Sequence, residues 1–334
     1  MGTVTVLGGG SWGTALALQL ARVGHSVRLW ARSADFVAEL AANRENRVYL
    51  PGIPLPKNIR PTPALGDACA DSEMVVVVCP SKGVRALADG LRQTLHGRPI
   101  VVSATKGVEQ GTHLTMTAIL AEVLGSEHAA HVAVLSGPSF AREVSADVPT
   151  AVTSAARDIH VAEGVQRLFN GQTFRVYTST DVVGVEIGGA VKNVIAVAAG
   201  VSDGLGFGFN SRAALITRGL AEVSRLALRL GAERQTLMGL SGLGDLVLTC
   251  TGDQSRNRTV GLRLGRGEQL EDIVASMKEV AEGVHNTRSV RELAASVGVE
   301  MPITEQMYKL IYEKKPPRQV VTELMTRSLR READ

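Results

Sequence analysis

The chain has 334 residues, 45% of them hydrophobic but only 4% aromatic, so Ala, Val and Leu must fill its interior, and the length predicts two domains. Its 36 basic and 33 acidic residues leave a formal net charge of +3 with no blocks of one sign, which argues against a nucleic-acid partner while leaving room for one small phosphorylated ligand. Cys69, Cys79 and Cys250 are odd in number, widely spaced and lack a Cys-x-x-Cys pair, so no disulfide framework and no metal site are expected, and a reducing, cytoplasmic home is.

Short β-rich runs alternate with helical patterns through the first half. Strands are predicted at Val4–Leu7, Ser26–Trp30, Met74–Val78, Ile100–Ser103, Val132–Leu135, Ala151–Ser154 and Phe174–Tyr177, the βαβ rhythm of a mostly parallel sheet. The unbroken apolar run at Met74–Val78 suits a central strand covered by helices on both faces. Leu50–Pro56, rich in Pro and Gly, reads as a stiff surface connection. From Asp181 onward the strand signals fade, and helices are predicted at Val183–Val201, Ser211–Leu230, Gln269–Met277, Thr287–Val297 and Thr304–Tyr312. The fold class is therefore α/β: a doubly wound Rossmann-type sheet over residues 1–182, then a mainly α-helical catalytic domain over 183–334. No apolar stretch reaches the roughly 20 residues of a membrane span, so no stable membrane insertion is expected.

Gly8-Gly9-Gly10-Ser11-Trp12-Gly13 fits G-x-G-x-x-G directly after the first strand and opens a helix. Gly8 permits the tight turn, Gly10 lets backbone approach a pyrophosphate, Gly13 allows close helix packing, and the helix N-terminus offers N–H donors to the phosphates. At the end of the second strand, where NAD-selective sites place an acid against the ribose, stands Arg32; it offers a planar cation for a 2′-phosphate, or else is an exposed, solvated arginine. NADP(H) should be accepted well, with NAD(H) also used.

Four further stretches carry chemistry. Ala104–Glu109 and Ser136–Glu143 follow strands, which brings Lys106, Gly137 and Ser139 to the carboxyl edge of the sheet, where open α/β folds bind ligands. Ile187–Asn193 places Lys192 and Asn193 in an otherwise apolar helix, and such burial needs partners. Leu240–Leu246 presents Asp245 in a glycine-rich turn where it could face Lys192, and the chain continues through Thr249 to the polar cluster Ser255, Arg256 and Asn257, suited to a phosphate. A structural buried ion pair is the bland alternative for Lys192 and Asp245.

The ordered set GGGSWGTA, ATKGVE, SGPSFARE, EIGGAVKNVIA, LSGLGDLVLTCTGDQSRNR and MPITEQMY closely resembles bacterial NAD(P)-dependent glycerol-3-phosphate dehydrogenases over nearly the whole chain. The resemblance implies reversible reduction of dihydroxyacetone phosphate to sn-glycerol 3-phosphate for phospholipid synthesis. It implies that Lys192 is the catalytic acid/base with Asp245 beside it, and that Lys106, Gly137, Ser139, Ser255, Arg256 and Asn257 contact substrate. It matches Ser11, Trp12, Arg32, Ala141, Val280 and Glu282 to the dinucleotide, with Lys106 and Arg256 also on that side, and it raises a homodimer. Two rivals stay open at this point: a β-hydroxyacid or 6-phosphogluconate dehydrogenase of similar layout, and a dinucleotide sensor without turnover.

Overall fold

A computed structural model describes residues 2–277, 281–329 and 331–332. Among the described residues there are ten strands: β1 Thr3–Leu7, β2 Ser26–Trp30, β3 Glu45–Asn46, β4 Leu50–Pro54, β5 Ile59–Thr62, β6 Met74–Val77, β7 Ile100–Ser103, β8 Val132–Ser136, β9 Thr150–Ala156 and β10 Phe174–Ser179. Eight build one sheet in the order β10-β9-β8-β7-β6-β1-β2-β5, and β3 pairs with β4 in a small antiparallel ribbon. Every pairing in the large sheet is parallel except β8 with β9, so β9 and β10 run against the rest.

The central strands are apolar on both faces because both are covered. Met74 and Val76 join Val4, Val6 and Val102 in one buried cluster with the helix Ser11–Arg22, while Val75 and Val77 join Leu7 and Val101 in another with the helices Val84–Thr94 and Met116–Leu124. Sequence order reverses between β1 and β6, which puts a crevice outside their carboxyl ends.

Two expectations need correction. Leu50–Pro56 is not a bare connection: Leu50–Pro54 is a strand, and Leu50 and Leu55 are buried. The edge strand Ile59–Thr62 was not anticipated, because Arg60 and Pro61 break its apolar signal; Pro is tolerated at such an edge.

Beyond β10 the described chain is helical. Its axis is Val182–Gly204, in which every residue from Gly184 to Ser202 is buried. Asp181 caps this helix, accepting from Gly184 N at 2.7 Å. The helix is long and apolar enough to cross a membrane, yet 89% of its most apolar window is buried inside the fold, which makes it a core helix. It packs closely on the helix Arg256–Gly265: a Cβ on Gly200 would lie 2.0 Å from the Arg258 carbonyl oxygen, and one on Gly261 would lie 2.0 Å from that of Val197. Only glycine lets these backbones touch, and the contact sets the first turn of the second helix beside Asn193.

Candidate active site

Gly8 and Gly13 bring β1 and the following helix into near contact. A Cβ on Gly13 would sit 1.9 Å from the Gly8 carbonyl oxygen, and one on Gly8, at φ +140°, would strike the Val78 carbonyl at 2.3 Å. Gly10 is the opposite case, since a Cβ there would meet nothing within 4 Å. Backbone thus lines open space at the N-terminus of Ser11–Arg22, a helix with no side-chain cap and no acid in its first turn. This cradle fits a dinucleotide pyrophosphate. Around it, Trp12 and Ala141 pack on the same apolar cluster, and Arg32 is exposed just past β2.

Glu282 opens the helix Glu282–Ser296 and reaches across to the turn after β6, accepting from Ser81 N at 3.1 Å and from Ser81 Oγ at 2.7 Å. Val280, the neighbouring position matched to the dinucleotide, lies outside the described residues.

The second centre is a carboxylate shared by two lysines. Lys192 Nζ donates to Asp245 Oδ1 at 2.5 Å and to Thr249 Oγ1 at 2.8 Å, while Lys106 Nζ donates to Asp245 Oδ2 at 2.6 Å and to the Gly137 carbonyl at 3.2 Å. Thr249 Oγ1 donates to the Asp245 backbone carbonyl at 2.6 Å, which leaves its oxygen to accept from Lys192. Asp245 is 1% exposed and Lys192 7%, so this is a buried pair with a third charge at its edge. Burial, aided by the Lys106 charge and opposed by Asp245, pulls the Lys192 ammonium down to about 7. Cys250, beside this group, is no nucleophile, because burial pushes its thiol up to about 12.

Asp245 does not sit in a glycine-rich turn as expected. Leu240–Gly244 forms a wide helical turn that runs directly into the helix Asp245–Thr251, and the Asp245 N–H is bonded back to the Leu240 and Gly242 carbonyls.

Further residues complete the wall. Asn257 Nδ2 donates to Asn193 Oδ1 at 2.9 Å, and Asn257 Oδ1 accepts from Gly283 N at 2.8 Å, so one amide links the core helix to the Glu282 helix. Ser255 is buried and caps Arg256–Gly265, accepting from Arg258 N at 3.2 Å, and Arg256 is exposed in that helix's first turn. Ser139 Oγ donates to the Gly137 carbonyl at 3.1 Å. The structure therefore gathers Lys106, Gly137, Lys192, Asp245 and Thr249 directly, and links Asn193 to Asn257.

Sequence reasoning missed Ser81 and Asn286. Asn286 donates to the Ala190 carbonyl at 3.4 Å, and its Oδ1 would lie 3.0 Å from a Cβ on Gly107. Both stand in stretches without a motif; only the strand-end position of Ser81 could have drawn notice. Among the described residues no group of three or more His, Cys, Asp or Glu side chains is placed to hold a metal ion.

A mostly parallel sheet with a phosphate cradle at its switch point, together with a buried lysine–carboxylate pair on the helical part of the chain, defines a nicotinamide-dinucleotide oxidoreductase. Residues 3–162 match the N-terminal, and residues 181–322 the C-terminal, domain of NAD-dependent glycerol-3-phosphate dehydrogenase. Curated relatives named glycerol-3-phosphate dehydrogenase [NAD(P)+] are 55% identical in Geobacter sulfurreducens and 52% in Syntrophotalea carbinolica, covering 98% and 99% of both chains. The crystal structure of glycerol-3-phosphate dehydrogenase from Coxiella burnetii superposes with a TM-score of 0.93 at 41% identity, over 98% of this chain and 99% of that one. The chain belongs to the NAD-dependent glycerol-3-phosphate dehydrogenase family, and it is an NAD(P)-dependent enzyme interconverting dihydroxyacetone phosphate and sn-glycerol 3-phosphate.

Proposed function

We propose that Lys192 is the proton donor and acceptor at the substrate carbonyl oxygen, and that Asp245 and Lys106 set its position and charge. The observation that carries this reading is a buried ammonium, held by Asp245 and Thr249, whose affinity for its proton is drawn to about 7. A general acid works best when it titrates near the working pH. The bound reduced nicotinamide supplies hydride to the carbonyl carbon. Negative charge then grows on the carbonyl oxygen, and Lys192 Nζ stabilises it and delivers a proton there, leaving a neutral amine that Asp245 and Thr249 keep in place. In the reverse direction the neutral amine takes the hydroxyl proton. Lys106, fixed between Asp245 and Gly137, adds a second cation beside the developing charge.

Gly8, Gly10, Ser11, Trp12, Gly13, Arg32, Ala141, Val280 and Glu282 hold the dinucleotide in this reading, with Lys106 and Arg256 on the same side. Gly137, Ser139, Asn193, Thr249, Ser255, Arg256 and Asn257 line the substrate, and the exposed Arg256 guanidinium at a helix start takes its phosphate. The dinucleotide and substrate domains divide at 182/183. The enzyme supplies glycerol phosphate for phospholipid synthesis in the cytoplasm, where its three free thiols stay reduced. A homodimer belongs to the same reading.

The test is loss of reduced-nicotinamide absorbance with dihydroxyacetone phosphate, against unphosphorylated dihydroxyacetone, using NADPH and NADH in parallel. Arg256→Ala should raise KM for the phosphorylated ketone by about tenfold or more, and Arg32→Glu should weaken NADPH but not NADH. Equal turnover of both ketones, or unchanged KM in the Arg256 variant, would remove the phosphate assignment.

A further inference from the structure

Glu186 lies on the core helix six positions before Lys192, is buried, and belongs to neither the dinucleotide nor the substrate wall. Its carboxylate crosses to the other domain. One oxygen accepts from Thr117 N at 2.8 Å and the other from Thr117 Oγ1 at 2.5 Å. These donors form the first turn of Met116–Leu124, a helix whose own N-cap, Thr115, makes no side-chain cap. Glu186 thus supplies from one domain the cap that a helix of the other lacks, taking up its first-turn N–H; burial pushes this carboxyl up, and the bonds from Thr117 oppose that rise.

That helix start anchors the loop carrying Lys106. Thr115 pairs with Val108 in an isolated antiparallel bridge, and Glu109 N donates to the Leu114 carbonyl at 2.9 Å, so the loop folds back on the turn that Glu186 grips. Val108 is itself buried in the cluster of the helical domain. Lys106 is two residues before Val108, and it must reach the same carboxylate that Lys192 holds from the core helix.

We propose that Glu186 is a positioning residue for the reaction, a strut between the core helix and the Thr115–Thr117 turn that fixes Lys106 against Asp245 and Lys192. This rests on the roles given above to Lys106 and Lys192. A buried carboxyl is a costly way merely to cap a short helix, whereas one bonded through both oxygens to a single residue of the other domain holds the two in one register. A shift of about 1 Å at a reacting group can cost on the order of a hundredfold in rate.

The test measures kcat, KM for dihydroxyacetone phosphate, dinucleotide Kd and thermal midpoint for Glu186→Ala, Glu186→Gln and Thr117→Val, each alone and combined with Lys106→Met. Glu186→Ala should lower kcat by about tenfold or more with dinucleotide Kd within about twofold of wild type. Glu186→Gln, whose amide oxygen still accepts from Thr117 N, should recover most of that loss. In the Lys106→Met background the same changes should cost less than about twofold, since the strut then has nothing to place. Folded Glu186→Ala enzyme with unchanged kcat, or losses repeated in full in the Lys106→Met background, would overturn the proposal. If Glu186→Ala does not fold, Thr117→Val decides by the same comparison: a kcat loss confined to enzyme that keeps Lys106 supports the strut, and equal losses with and without Lys106 overturn it. Unchanged turnover in Lys106→Met alone would instead bring down the reading of Lys106, and this inference with it.

Discussion

Asp245→Asn is the most informative single change, because one carboxylate holds two cations. Its oxygens lie 2.5 and 2.6 Å from the Lys192 and Lys106 nitrogens, and the side chain is 1% exposed. At an effective dielectric of about 20, each contact amounts to about 6 kcal/mol of attraction, offset in the native protein by the cost of burying the ions. Asparagine keeps the shape and one acceptor but no charge, so two facing ammonium groups remain, and the net loss of stability should be about 3–5 kcal/mol near pH 6. Lys192 has an escape: already drawn down to about 7, it can shed its proton as pH rises. The destabilisation should therefore shrink toward about pH 9, and turnover should fall about 10²–10⁴-fold because the proton donor is lost or misplaced. Urea unfolding at the two pH values, with steady-state rates, measures both. Equal destabilisation at both pH values, or kcat within about threefold of wild type, would refute the reasoning.

Two glycine substitutions should separate binding from folding. Gly10→Ala, at φ −71° with nothing near the new Cβ, should leave stability within about 0.5 kcal/mol or raise it slightly, yet weaken dinucleotide binding at least about tenfold in fluorescence titration; Gly13→Ala should cost about 1–3 kcal/mol by forcing strand and helix apart. Glu222, buried and accepting from Ile303 N at 2.6 Å, has its carboxyl pushed up from 4.5 to about 7 by burial. A raised carboxyl keeps its proton in the native state after the unfolded chain has released it, so this group's contribution is intact below about 4.5 and is lost as pH climbs to about 7. Glu222→Gln should remove that slope, roughly 3 kcal/mol over the window, and parallel unfolding curves for the two proteins across it would contradict the assignment.

What the sequence made legible were features with local causes. The seven anticipated strands were found because runs of four or five residues rich in β-branched and apolar side chains must bury at least one face, and the phosphate cradle was legible because its glycines are demanded by contacts within one βα unit. The pairing of Lys192 with Asp245 could be anticipated, since a lysine in an apolar helix needs a partner. The reversal of β9 and β10 could not, because strand direction depends on how the chain returns to the sheet rather than on residue type. The helix Arg256–Gly265 was hidden by its charge, and its place is set by glycine contacts with Gly200 and Gly204 that lie far apart in sequence. Nothing in the sequence singles out Glu186. Its partner Thr117 stands 69 residues away, a contact that no local pattern announces.

The central claim is that Lys192 moves the proton. It is tested most directly by the pH dependence of kcat in both directions, for the native enzyme and for Lys192→Ala. Ketone reduction needs the ammonium and should fall as pH rises through about 7, while alcohol oxidation needs the free amine and should rise over the same range. Lys192→Ala should lose turnover while binding dinucleotide normally. A variant that still turns over, with the same pH limb in each direction, would contradict the account.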